Sequence, residues 1–166
     1  YINKTMKFSE RMQSAINEQI NFEMFSANTY LSMSAYFAQQ GLDGFAHWYY
    51  MQYKEELAHA EDMMHYVITR GGKVEIKAVA AVETEFNSPL EIAEKAYHHE
   101  CLVSEKIENL VRIASEEKDM PSQDFFWKYI REQVEEEANA TNIIERVLMA
   151  KDAAILFLDK ELAARQ

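Results

Sequence analysis

The sequence predicts an all-α chain folded as a four-helix bundle: two antiparallel hairpins, one long crossover between them, and a short fifth helix at the C-terminal end. Three observations predict it. Glycine and proline number only four and two in 166 residues, well under their combined share of about 12% in ordinary domains. That scarcity excludes collagen-like, low-complexity and turn-dense all-β chains. The six breakers fall at positions 41, 44, 71, 72, 89 and 121, and the stretches between them carry helical period and good helix formers. One stretch, residues 71–88, lacks that period and divides the chain into two similar halves.

The first helix is expected over 9–39, with Ser9 as its N-cap. A turn at Gly41 leads to the second helix over 44–70, with Asp43 as N-cap and Gly71-Gly72 as its stop. Residues 71–88, extended, span up to about 60 Å, whereas a helix of about 28 residues is about 42 Å long. The segment can therefore run the whole length of the bundle. Ser88-Pro89-Leu90-Glu91 then opens the third helix, 89–118, with a capping box and proline at the first helical position. The Lys118-Asp119 turn leads to the fourth helix over 121–149. The fifth covers 152–163, amphipathic through Ile155, Leu156, Leu158 and Leu162. Short turns make each helix pair an antiparallel hairpin. Residues 1–8 are expected to be an N-terminal extension, with Met6 as the native start, and 9–166 to be a single domain.

Composition bounds the function. Apolar residues make up 48% and aromatics 12%, too rich for a disordered chain. A net charge of −11 repels nucleic-acid phosphates and anionic membranes and favours cationic ligands. Cys101 is the one cysteine, which excludes an intrachain disulfide and suits a reducing compartment. No apolar run approaches the roughly 18 residues of a membrane span, and the first residues lack the apolar core of a signal peptide. A cytoplasmic location is expected.

Each helix carries an apolar stripe at spacings of three and four, and each stripe is interrupted near its middle. The interruptions are Glu23 on the first helix; Gln52, Glu56 and His59 on the second; Glu100 on the third; Gln133 and Glu136 on the fourth. Glu23 to Glu56 and Glu100 to Gln133 are both 33 residues; Glu23 to His59 and Glu100 to Glu136 are both 36. The latter pairs are centred on positions 41 and 118, the two hairpin turns. Residues equidistant from a turn lie level in an antiparallel hairpin, here about 27 Å from it. Glu23, Glu56, His59, Glu100, Gln133 and Glu136 are therefore expected in one central cluster. Ionisable groups inside a bundle are costly unless paired or bound to metal. Four carboxylates match the charge of two divalent ions, and oxygen ligands with one imidazole suit Fe2+ or Mn2+ better than a structural zinc. Di-metal carboxylate bundles set a Glu on each of two helices and Glu-x-x-His on the other two. In this chain the second such pair reads Gln133-x-x-Glu136.

At these residues the chain resembles the ferritins, specifically their non-haem bacterial and archaeal branch. The resemblance runs from about Phe8 to Gln166. It rests on Asn17-Glu18-Gln19-Ile20, Glu55-Glu56-Leu57-Ala58-His59, Arg70-Gly71-Gly72 and Glu132-Gln133-Val134-Glu135-Glu136-Glu137. It implies a homo-oligomeric shell of 24 subunits that oxidises Fe2+ with O2 or peroxide at a di-iron centre and stores ferric mineral. It also implies Glu23 and His59 as ligands of the first iron, Glu56 as the bridge, and Glu100 and Glu136 on the second iron with the Gln133 amide beside it. Tyr30 matches the family's tyrosine next to the site, or else is a core tyrosine. Glu55, Glu132 and Glu135 match a third iron site, or else form a solvated acidic face.

Departures separate the chain from near relatives. Bacterioferritin and rubrerythrin-like oxidases carry a second Glu-x-x-His, where this chain has Glu136. Bacterioferritin's haem-ligating Met follows the bridging Glu, where this chain has Leu57, so no haem is expected. Met51, Met63 and Met64 read as core filler. His47 and His65 lack partners at ligand spacing, and His98 and His99 cannot both share the Glu100 face. Glu137 is expected to be solvated. The alternative function is a di-iron oxidase or peroxidase without storage.

Overall fold

The computed structural model describes residues 8–166, so the expected extension over 1–8 lies outside the described residues except for Phe8. Four helices follow in order: α1 (Glu10–Gln39), α2 (Asp43–Thr69), α3 (Pro89–Glu116) and α4 (Met120–Leu162). There is no strand among the described residues. The hairpins α1–α2 and α3–α4 pack side by side, with α1 against α3 and α2 against α4. The apolar stripes face inward and form two clusters. One, around Met12, Ile16, Met63, Ile107 and Phe126, lies toward the 118 turn. The other, around Tyr30, Phe37, Phe45, Tyr49 and Ile92, lies toward the 41 turn. The polar interruptions fall between them.

The expected caps at Ser9 and Ser88 form: Ser9 Oγ accepts from Met12 N at 3.0 Å and Ser88 Oγ from Glu91 N at 3.1 Å. The return half of the capping box is displaced by one residue, since Glu91 Oε2 accepts from Asn87 N at 2.8 Å. Gly71, at φ 74°, closes α2; Gly72 N bonds Val67 O and Gly71 N bonds Ile68 O, both at 2.9 Å, the pair that satisfies the last carbonyls. The same pattern at the 118 turn places Lys118 at φ 55°, a position without glycine's freedom.

The crossover is held by a ladder on α1. Gln13, Asn17 and Asn21 stand at every fourth residue and bond the backbone at every second residue of the linker. Lys73 N donates to Gln13 Oε1 at 3.1 Å; Glu75 N to Asn17 Oδ1 at 2.8 Å; Lys77 N to Asn21 Oδ1 at 2.7 Å. Asn17 and Asn21 return bonds to the carbonyls of Lys73 and Glu75, each at 2.8 Å. The periods match because four helical residues rise about 6.0 Å and two extended residues about 6.6 Å. The linker therefore runs parallel to α1 along the bundle, as its length predicts. At its origin, the buried Arg70–Asp119 pair (2.9 Å) ties the end of α2 to the 118 turn.

At the other end α4 contains a break. The helical stretch up to Leu162 is interrupted at Lys151, at φ 47° and ψ −176°, between the expected fourth helix (121–149) and the expected fifth (152–163). Past that break, Leu158 and Leu162 are buried in the second core cluster, so packing rather than a Gly or Pro sets the bend. Asp43 is not the cap of α2. Leu42 occupies that place without a side-chain bond, and Asp159 Oδ1 takes over, accepting from Phe45 N at 2.9 Å. Gly44 accordingly acts as a contact residue, not a breaker. A Cβ there would lie 1.6 Å from Asp159 O.

Candidate metal centre

The four helices bring the interrupting side chains to one level. Glu23 and Glu100 are 1% exposed and Glu56 3%, and Gln133, Glu136 and Gln52 are also buried. On the α1–α2 side, Glu23, Glu56 and His59 offer ligand atoms within 4.8 Å of one another. His59 Nδ1 stands 3.6 Å from Glu56 Oε2 and 3.9 Å from Glu23 Oε2. Both of those carboxylate oxygens are buried without a hydrogen-bond partner. Nearly all buried polar atoms find a partner, so two orphaned oxygens facing one imidazole nitrogen describe a cation site. This donor set, two carboxylate oxygens and one imidazole, fits Fe2+.

On the α3–α4 side the polar atoms are held by neighbours. Glu100 Oε1 accepts from the Tyr30 hydroxyl, and Glu100 Oε2 from Gln133 Nε2 at 3.0 Å. Glu136 Oε2 accepts from Gln52 Nε2 at 3.0 Å. Tyr30 is thus both a core tyrosine, ring-stacked on Tyr49, and a donor at the site.

Concentrated negative charge in a dry interior keeps protons on the acids. Burial, reinforced by the charge of Glu56, holds Glu23 well above the ordinary carboxylate range. Burial, with Glu100 and Glu136 adding to it, pushes Glu56 up to about 8. Burial and then Glu100 bring Glu136 to about 7. Burial likewise raises Glu100, against the bonds from Tyr30 and Gln133. For His59, burial pulls the other way, but the Glu132 hydrogen bond and the carboxylates leave it raised. A divalent cation would replace those protons with matched charge.

The three acids matched to a third iron site, or else to a solvated acidic face, have different surroundings. Glu55 pairs with Arg165 at 3.0 Å, Glu132 Oε1 contacts His59 Nε2 at 2.6 Å, and Glu135 is exposed. Glu137 is not fully solvated; half-buried, it accepts from Ser104 Oγ at 2.5 Å. His99 is structural: its Nε2 meets Ser26 Oγ at 2.8 Å, its ring stacks on Phe22, and burial lowers it to about 4. His98 and His65 are exposed. Three participants lie outside the expected ligand set. Gln19 donates to Glu23 Oε1 at 2.8 Å, Gln52 holds Glu136, and Arg165 holds Gln52. A glutamine four residues before Glu23 and another before Glu56 was the available signal, since that spacing shares a helix face.

A family model described as a ferritin-like domain matches residues 13–149. The chain belongs to the ferritin family. It is 48% identical over 157 residues to the bacterial non-heme ferritin of Bacteroides fragilis (strain 638R), covering 95% of this chain and 99% of that one. To the bacterial non-heme ferritin of Staphylococcus aureus (strain USA300) it is 35% identical over 159 residues, covering 95% and 96%. Among solved ferritins, it superposes on an open pore ferritin from the hyperthermophilic archaeon Archaeoglobus fulgidus with a TM-score of 0.95. That match has 46% identity and covers 96% of this chain and all of that one. A closed form of the Archaeoglobus fulgidus ferritin, engineered by site-directed mutagenesis, gives 0.94 at 46% identity, covering 96% and 99%. These likenesses place the chain in the non-haem bacterial and archaeal branch. No helix among the described residues is long and apolar enough to cross a membrane.

Proposed function

We propose that this ferritin oxidises Fe2+ with O2 or peroxide at a two-iron centre within each bundle and stores the ferric product as mineral in a shell of 24 subunits. Iron is substrate and cargo in this reading. Glu23 and His59 take the first ion, Glu56 bridges, and Glu100 and Glu136 take the second with Gln133 beside it. The observation that carries the reading is the pair of orphaned oxygens, Glu23 Oε2 and Glu56 Oε2, facing His59 Nδ1. Two Fe2+ give up one electron each, and O2 accepts both with two protons to leave hydrogen peroxide. The acids release the protons they carried when iron enters. With the one imidazole on the first ion and only an amide beside the second, the second ion is held less firmly, which suits a centre that passes its product on. Cytoplasmic location, where Fe2+ and reductant are available, belongs to the same reading.

Native mass before and after aerobic iron loading, together with the rate of Fe2+ oxidation, tests this function. A 24-subunit assembly retaining many more than two irons per chain supports storage. Retention of only two irons per chain identifies an oxidase without storage, and no oxidation at all removes the activity.

A further inference from the structure

A chain of hydrogen bonds links Glu136 to a residue near the C-terminal end, Arg165. Gln52 stands between two groups of fixed hydrogen-bonding sense. Arg165 Nη2 donates to Gln52 Oε1 at 2.5 Å, and Gln52 Nε2 donates to Glu136 Oε2 at 3.0 Å. A guanidinium only donates and an ionised carboxylate only accepts, whereas an amide does either from its two ends. With Glu136 ionised, the form that a metal needs, only one orientation of the Gln52 amide satisfies both neighbours. Without the guanidinium the amide loses that constraint, and its oxygen can turn toward Glu136, where two acceptors repel.

Arg165 is itself held from several directions. Its guanidinium lies 4.3 Å over the Trp48 ring and donates to Trp48 O at 3.0 Å. It pairs with Glu55 at 3.0 Å, and its backbone carbonyl meets His47 Nε2 at 2.6 Å. The segment before it is fastened to the first turn of α2 by Asp159 and to the core by Leu158 and Leu162. This docking explains three residues that the metal-ligand pattern leaves unused: Glu55, His47 and Gly44.

We propose that Arg165 is a positioning residue of the second metal subsite, fixing the Gln52 amide that holds Glu136, so that docking of the segment after Lys151 is a condition for tight binding of the second ion. The inference rests on the two-metal reading given above. In this arrangement Glu55 is an anchor of Arg165. The same arrangement makes the second subsite the one that responds to the state of the C-terminal segment, while the Glu23–Glu56–His59 subsite is independent of it.

Anaerobic titration with Co2+, followed by its visible absorption and by calorimetry, separates the two ions without oxidation. The proteins compared are wild type, Arg165→Met, Gln52→Leu and the double variant. Methionine keeps an apolar stem over Trp48 and removes every donor; far-ultraviolet circular dichroism confirms the fold of each. The expected result is a loss of about tenfold in affinity for the second Co2+ in Arg165→Met, typical for loss of an outer hydrogen-bond partner, with the first unchanged. In the Gln52→Leu background the Arg165 substitution should add nothing, because its route to Glu136 is already cut. An unchanged second affinity, an equal loss at both sites, or a full additional loss in the double variant overturns the inference. Wild-type protein that takes up fewer than two Co2+ per chain overturns the two-metal reading beneath it.

Discussion

His59 Nε2 lies 2.6 Å from Glu132 Oε1, on the side of the ring away from Glu23 and Glu56. A carboxylate at the outer nitrogen accepts a hydrogen bond from the Nε2–H, which fixes the ring proton there and leaves the Nδ1 lone pair for a metal, the usual way in which a ligating histidine is oriented. Glu132 is itself held below the ordinary carboxylate range, first by this bond to His59. Its place in the site is therefore behind the imidazole.

Glu132→Ala should weaken binding of the first ion about tenfold, the range seen when such outer partners are lost. The anaerobic Co2+ isotherm reads this directly. A normal first affinity with a lost third equivalent of metal would return Glu132 to the role of an independent ligand.

Glu56→Gln should abolish the rapid phase of Fe2+ oxidation while making the metal-free protein more stable. At pH 8, where Glu56 is partly ionised, the amide removes a buried charge and can donate to the orphaned Glu23 Oε2, so Tm should rise there by about 2–4 °C, the shift of about 1 kcal/mol in a chain of this size. Stopped-flow oxidation and calorimetry on the same preparation check both halves. Rapid kinetics like those of the wild type would remove Glu56 from the centre.

Stability of the metal-free protein should fall as pH rises. Glu56 and Glu136 carry folded values of about 8 and about 7, both raised from 4.5. The folded state therefore binds more protons than the unfolded state between about pH 4.5 and 8, and the slope of stability against pH is negative there. The contribution is complete below 4.5 and is lost as pH climbs through the folded values. Metal reverses the sign, because it needs the carboxylates. The increase in Tm on adding Co2+ should be larger at pH 8 than at pH 6, and equal increases would contradict the assignment of these acids as ligands.

Asn17→Leu should cost about 2–3 kcal/mol and loosen the crossover. The side chain is buried and satisfies both Lys73 O and Glu75 N, and an apolar replacement leaves both backbone groups short of a partner. Hydrogen exchange should speed up at residues 73–77 ahead of the helices. Retained protection there would show that the linker is held by something other than this ladder.

The central cluster was legible because it depends on counting. Glu23, Glu56, His59, Glu100, Gln133 and Glu136 interrupt regular stripes, and the breakers at Gly41 and the 118 turn supply the origin from which equal distances are measured. Helix Ser9 and Ser88 caps were legible for a similar reason, since a cap acts within three residues. Asp43 misled because it has the chemistry of a cap while the carboxylate that binds the α2 N-terminus comes from Asp159, 114 residues away. The break at Lys151 falls between the expected fourth and fifth helices although no Gly or Pro marks it, and the burial of Leu158 and Leu162 beyond it sets the bend.

Periodicity, breaker position and equal spacing are properties of the chain in one dimension, and they suffice for four helices, their pairing and the level at which six polar side chains meet. Direction within that level is different. Which nitrogen of His59 faces the acids, which end of the Gln52 amide faces Glu136, and which of Glu55, Glu132 and Glu135 faces inward depend on partners from other helices. Arg165 reaches Gln52 across 113 residues, and no spacing rule relates the two. Those choices follow from side-chain packing and hydrogen-bond sense in a crowded interior, which exist only once the helices have come together.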